Sequence, residues 1–148
     1  MCIRDRIVKP VSEFLQMGLG GLPSEPEVLG SVFLPMGASG PAFWISDNFS
    51  VLNTYNKSVS YALSIGLLSD GFKTGALRHL NWPRNTKALS RSDMKKLQSH
   101  LTYQGFDTQG CDGVFGPNTE IAIRGFQSKN ALVEDGYPSH HLFNLVCH

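Results

Sequence analysis

Residues 111–127, CDGVFGPNTEIAIRGFQ, constrain the fold more tightly than any other stretch. Asp112-Gly113 is a turn dipeptide, because glycine tolerates positive φ and an aspartate side chain bonds its own backbone. Gly116-Pro117 starts a helix: proline at the first helical position gives up no needed N–H and already has helical φ. Thr119, Ala122, Ile123 and Phe126 then recur at i, i+3, i+4 and i+7, one stripe facing a core. A turn is thereby pinned to a buried helix and held in one shape.

The flanks extend the pattern. Ser90 stands at a helix N-cap with Asp93 three residues on, a capping box with Asp in place of Glu. Met94, Leu97 and Leu101 form an inner stripe, Gly105 closes that helix and Phe106 tucks in behind it. Asp135-Gly136 makes a second turn, and Ser139 caps a last short helix with Leu142, Leu145 and Val146 inside.

Met94, Leu97, Gln98, Leu101, Gly105 and Phe106, followed by D-G-V-F-G-P-x-T-x-x-A-I-x-x-F-Q, resemble the peptidoglycan-binding module of bacterial wall enzymes over residues 89–146. The resemblance implies a three-helix domain at residues 90–148 with peptidoglycan as its partner. Binding is expected where the 112–116 turn meets its helix. There the N–H groups of Asn118 and Thr119 point outward and the helix dipole favours an anion, such as a stem-peptide carboxylate. Asp112, Gly113, Phe115, Asn118, Thr119 and Tyr137 are the candidate contacts, with Phe115 and Tyr137 as flat surfaces. A second reading is equally open: Asp112, Gly113 and Gly116 serve only the fold, and the ligand sits elsewhere.

The first half is less periodic. A short helix is expected over residues 10–22, with Ser12 as cap, Val11, Phe14, Leu15 and Met17 on its apolar side, and the glycines after Met17 ending it. Residues 31–34 and 42–45 read as strands of a hairpin around a Pro/Gly turn, and residues 48–54 as a helix. Ser58 caps a further helix, with Tyr61, Ile65, Leu68 and Phe72 on one face and burial on more than one side. It ends at Gly71 or Gly75. Residues 76–89 read as a connector, with one helical turn at 76–80.

Gly40-Pro41-Ala42-Phe43, Asn48-Phe49, Tyr55-Asn56-x-Ser58-x-x-Tyr61-Ala62 and Gly66-Leu67-Leu68-x-Asp70 resemble the C-terminal end of the lytic murein transglycosylase B family domain. The resemblance covers residues 9–75. It implies a mainly α fold: the tail of a lysozyme-like domain at residues 7–75, helices plus a short β-hairpin, ahead of the three-helix module. It also implies the chemistry. The family cleaves the MurNAc–GlcNAc bond by internal attack, leaves a 1,6-anhydro-muramyl end, needs no cofactor, and uses one Glu as acid and base. Glu13, Glu25 and Glu27 match none of its context, so the chain is read as an inactive C-terminal fragment. Tyr55, Asn56 and Tyr61 carry over as lining of the glycan cleft. An amide donates and accepts, and a tyrosine offers a face to a sugar ring. Taken alone, Tyr61 reads as core and Asn56 as a turn residue.

Other classes find little support. The net charge is +1, with eight Lys/Arg against six Asp/Glu in residues 1–89 and five against six in residues 90–148. That argues against a nucleic-acid surface. No apolar run approaches the roughly 20 residues of a membrane span. His79, His100, His140, His141 and His148 with Cys147 match no zinc spacing, so no metal is expected. Cys111 and Cys147 read equally as two unrelated thiols or as a bridge worth about 3–4 kcal/mol in an oxidising compartment. Residues 1–6, MCIRDR, have the look of a translated sequencing-adaptor scar, and no signal peptide is visible. The expected setting is a monomer in the periplasm or envelope of a Gram-negative bacterium.

Overall fold

The computed structural model describes residues 7–76, 80–84 and 86–147. The scar reading of residues 1–6, most of the helical turn expected at 76–80, and His79 and His148 lie outside the described residues. The chain forms two compact units. Among the described residues, one contains 7–33, 42–76 and 80–81; the other contains Leu34–Pro41 together with 82–84 and 86–147.

The first unit carries a three-stranded antiparallel sheet. Strand β1 (Lys9–Pro10) pairs with β2 (Leu29–Phe33), placing Lys9 opposite Gly30, and β2 pairs with β3 (Phe43–Ile45), placing Val32 opposite Trp44. The expected hairpin therefore forms, with β2 starting two residues early and β1 added. Gly30 is required by close approach. A Cβ there would lie 2.4 Å from the Trp44 ring and 2.7 Å from the Ile45 carbonyl. Helices α1 (Val11–Gln16), α2 (Asp47–Tyr55) and α3 (Val59–Thr74) complete the unit. Its core is Val11, Phe14, Phe33, Ile45, Phe49 and Ala62. Phe14 meets Trp44 edge-on at 5.1 Å between ring centroids.

The structure departs from the sequence reading at α1 and α3. Helix α1 stops at Gln16, because Gly18 turns left-handed and a 6→1 bond from Leu19 N–H to the Phe14 carbonyl closes the helix. Its N-cap is Pro10, not Ser12, and Leu15 and Met17 are exposed. Helix α3 is capped by Ser58 Oγ and ends at left-handed Gly75 as expected, yet Ala62 is its one buried residue. Phe72 is 81% exposed, since α2 is the main element packed against α3.

In the second unit, α4 (Arg91–Tyr103) packs against both α5 (Pro117–Lys129) and α6 (His140–Cys147). Met94, Leu97, Leu101, Ala122, Ile123, Phe126, Leu142 and Val146 form the core. Apart from Ala122, each such burial contributes about 1.5–3 kcal/mol relative to exposure. Leu145, expected inside, is half-exposed, because an eight-residue helix buries one stripe only. Caps fix the ends: Ser90 Oγ accepts Asp93 N–H at 3.1 Å, and Ser139 Oγ accepts Leu142 N–H at 3.0 Å. Helices α4 and α5 end alike. Phe106 N–H bonds the Leu101 carbonyl past Gly105, and Leu132 N–H bonds the Gln127 carbonyl past Ala131. Cys111 is exposed, Cys147 is half-buried, and both are free thiols.

Candidate functional site

The Asp112 turn is built around Gln98, a buried amide on the inner face of α4, 2% exposed. Its Nε2 lies 3.1 Å from Asp112 Oδ1, the Val114 carbonyl and Thr119 Oγ1, and its Oε1 accepts Gly113 N–H at 2.8 Å. Asp112 Oδ1 also accepts Val114 N–H at 2.8 Å, closing an Asx turn. That backbone bond, then the Gln98 amide, holds the Asp112 carboxyl below the usual carboxylate range. Gly113 has φ +77°, and a Cβ there would lie 2.7 Å from the Arg91 carbonyl. Glycine is needed twice over, for conformation and for space.

The sequence candidates divide accordingly. Asp112, Gly113 and Thr119 converge on Gln98. Thr119 is 2% exposed, with its hydroxyl accepting inside the turn, so its side chain braces the fold and faces no solvent. Phe115 is half-buried and packs on the core. Asn118 is exposed, and its Nδ2 donates to Gln109 Oε1 at 3.0 Å. Gln109 itself sits at φ +53°, rare without glycine, with its N–H held by Asp107 Oδ1. No side chain caps the N-terminus of α5. Among the described residues, Asp112 Oδ2 and the exposed Val114 side chain are left open beside that helix end.

Tyr137 belongs to a different turn of the same construction. Gln127 on α5, 5% exposed, donates from Nε2 to Asp135 Oδ1 at 2.7 Å and accepts Gly136 N–H at 2.9 Å; Asp135 Oδ1 accepts Tyr137 N–H at 2.9 Å. The unit thus uses one device twice, a buried helix glutamine clasping an Asp-Gly turn. The roles of Gln98 and Gln127 escape a reading by apolar stripes. Their signal is a glutamine beside a core residue, Leu97 or Phe126, followed by Asp-Gly.

In the first unit, Tyr55 is 84% exposed, Asn56 is the exposed C-cap of α2, and Tyr61 is half-buried. A cleft of about 330 Å³ opens between β3, α2 and α3, lined by Trp44, Asn48, Leu63, Gly66, Asp70 and Lys73 among others. None of Tyr55, Asn56 and Tyr61 lines it.

Residues 3–70 match the transglycosylase SLT domain model and residues 90–144 the peptidoglycan binding domain model. Each model matches less than half of the chain, one in its first half and one in its second. Its fold matches SltB3 from Pseudomonas aeruginosa in complex with NAG-anhNAM-pentapeptide, with a TM-score of 0.86 and 39% identity over 96% of this chain and 40% of that one. The same protein with NAG-NAM-pentapeptide gives 0.85 and 40%, over 95% and 39%. Spore cortex-lytic enzyme of Bacillus cereus is 48% identical over 50 residues, 34% of this chain and 19% of that protein. The chain therefore spans about two-fifths of SltB3. The mainly helical, lysozyme-like fold read from the sequence agrees with these matches. No described helix is long and apolar enough to cross a membrane.

Proposed function

We propose that the chain binds peptidoglycan in the bacterial envelope through its C-terminal helices, and does not by itself cut the glycan strand. The carrying observation is the pairing of a transglycosylase segment with a peptidoglycan-binding domain, in the order and fold of a protein solved with glycan-pentapeptide ligands. Residues 7–75 are the transglycosylase part, 76–89 the connector and 90–148 the binding part. The open face at Asp112, Val114 and Asn118, beside the uncapped start of α5, is the proposed contact for a stem peptide. It offers a carboxylate to peptide N–H groups and a helix N-terminus to peptide carboxylates. Gly113, Phe115 and Thr119 shape that face. Tyr55, Asn56 and Tyr61 remain the proposed glycan contacts of the first unit.

Cleavage needs a glutamate placed as acid and base. Glu13 pairs with Lys9 at 2.5 Å, Glu120 with Arg124 at 2.9 Å, and Glu25, Glu27 and Glu134 are exposed. None lines the cleft, whose one carboxylate is Asp70. We assign the parent chemistry, MurNAc–GlcNAc cleavage to a 1,6-anhydro end in the periplasm of a Gram-negative bacterium, to the family, and propose that this chain does not carry it out. Titrating the labelled chain with soluble muropeptides tests the reading. Amide shifts at residues 109–119 from the peptide, and at residues 55–61 from the glycan, are expected, with no new anhydro-muropeptide after prolonged incubation. Anhydro products, or shifts confined to other surfaces, would overturn it. A rival role, docking to protein, is favoured by one observation: the Asp135 turn already holds a peptide segment.

A further inference from the structure

Leu34–Pro41 leaves β2 and returns to β3, but it packs with the C-terminal helices. Ala38 N–H donates to Asp135 Oδ2 at 2.8 Å, and the Tyr137 hydroxyl donates to Met36 Sδ at 3.6 Å. Between them Gly37 sits at φ +63°, where a Cβ would lie 2.5 Å from Asp135 Oδ2 and 2.6 Å from Tyr137 Cβ. We infer that the Asp135-Gly136-Tyr137 turn is a docking site for a short glycine–alanine peptide, and that its resident occupant is this chain's own Met36-Gly37-Ala38.

Two observations separate a docking site from ordinary loop packing. The receiving turn is held by bonds that do not involve its occupant. Asp135 Oδ1 is fixed by Gln127 and Tyr137 N–H, and Gly136, at φ +66°, is backed by Glu120 and Arg124, which leave no room for a Cβ. The Asp112 turn supplies the control. It has the same glutamine clasp and the same Asx turn, yet its Oδ2 has no hydrogen-bond partner among the described residues. Building such a turn therefore does not require the second carboxylate oxygen, and at Asp135 that oxygen is free to select a ligand. The selection rules are physical. The central position must be glycine, for sign of φ and for space. The next must carry an N–H, which excludes proline. Burial under the loop pushes the Tyr137 hydroxyl pKa up, with the Asp135 charge adding to it.

Two consequences follow. Tyr137 anchors the loop and is not open to wall ligand while the loop is seated. The C-terminal unit also includes residues 34–41, so residues 90–148 alone lack one of its pieces. Neither consequence rests on the proposed wall binding.

The test uses the whole chain and its Gly37→Val variant, read by amide hydrogen exchange and by titration of the Tyr137 ring resonances. In the unsubstituted chain the Ala38 amide should exchange at least about tenfold slower than a free peptide amide. In the variant, Ala38 should lose that protection and the Tyr137 titration should move down toward an ordinary tyrosine. Gly136, bonded to Gln127, should stay protected in both. Adding a peptide of sequence LPMGASGP to the variant should restore the Tyr137 titration, whereas the same peptide with valine for glycine should not. An unprotected Ala38 in the unsubstituted chain overturns the inference, and so does an unchanged Ala38 and Tyr137 in the variant. Should Gly136 protection also collapse in the variant, the unsubstituted chain's Ala38 rate alone decides.

Discussion

Replacing Gln98 with leucine keeps the size of a buried side chain and removes every bond it makes. Four groups lose a partner: Asp112 Oδ1, the Val114 carbonyl, Thr119 Oγ1 and Gly113 N–H. Asp112 and Val114 are exposed and exchange that partner for water. Thr119 is buried and Gly113 half-buried, so their groups go unsatisfied. Two such groups at about 1–3 kcal/mol each, less roughly 1 kcal/mol for the gained apolar contact, leave a loss of about 1–5 kcal/mol. Exchange of the Leu97 and Ile123 amides reports the unfolding of this unit, and a loss of that size speeds it by about fivefold or more. Gln98→Glu sharpens the reasoning. It keeps an acceptor for Gly113 but sets a carboxylate against Asp112, so it should cost more at neutral pH and recover as the new carboxyl protonates. A cost below about 1 kcal/mol for Gln98→Leu would refute the claim that this amide holds the turn.

Two further expectations follow from the same unit. Ala131 sits at φ +53° in the position where α4 has Gly105, so Ala131→Gly relieves left-handed strain at some cost in chain entropy. The net should be a gain of about 0.5 kcal/mol, seen as a higher urea midpoint. Asp112 has a folded-state pKa below its unfolded one, so its contribution is full above the unfolded value, about 3.9, and is lost as pH falls through the folded one. Asp112→Asn should flatten that part of the acid limb in urea melts at about pH 5 and pH 2.5, and an unflattened limb would count against the assignment.

How much was legible in the sequence depends on how local the physics was. Ser90, Ser139, Pro117 and Gly105 act through their neighbours along the chain, and the three C-terminal helices fall where they place them. Ser58 and Gly75 bound α3 for the same reason. Failures came where a residue's partner is distant. The exposure of Phe72 depends on what covers α3, which its own spacing does not encode. Strand β1 is two residues long and exists only because β2 lies beside it. At the candidate site, Asp112 and Gly113 announced a turn, but the clasp from Gln98 crosses 15 residues to Gly113. Tyr137 meets Met36, 101 residues away, a contact that its neighbours along the chain do not encode.

The proposed wall binding of this chain is open to a direct test. Co-sedimentation of the whole chain with purified, protein-free sacculi, with chitin as the control polymer, tests it most directly. The chain should pellet with sacculi and stay soluble with chitin, and Asp112→Ala together with Asn118→Ala should weaken pelleting while the unit stays folded. A folded chain that remains in the supernatant with sacculi, or pellets equally with chitin, would contradict it.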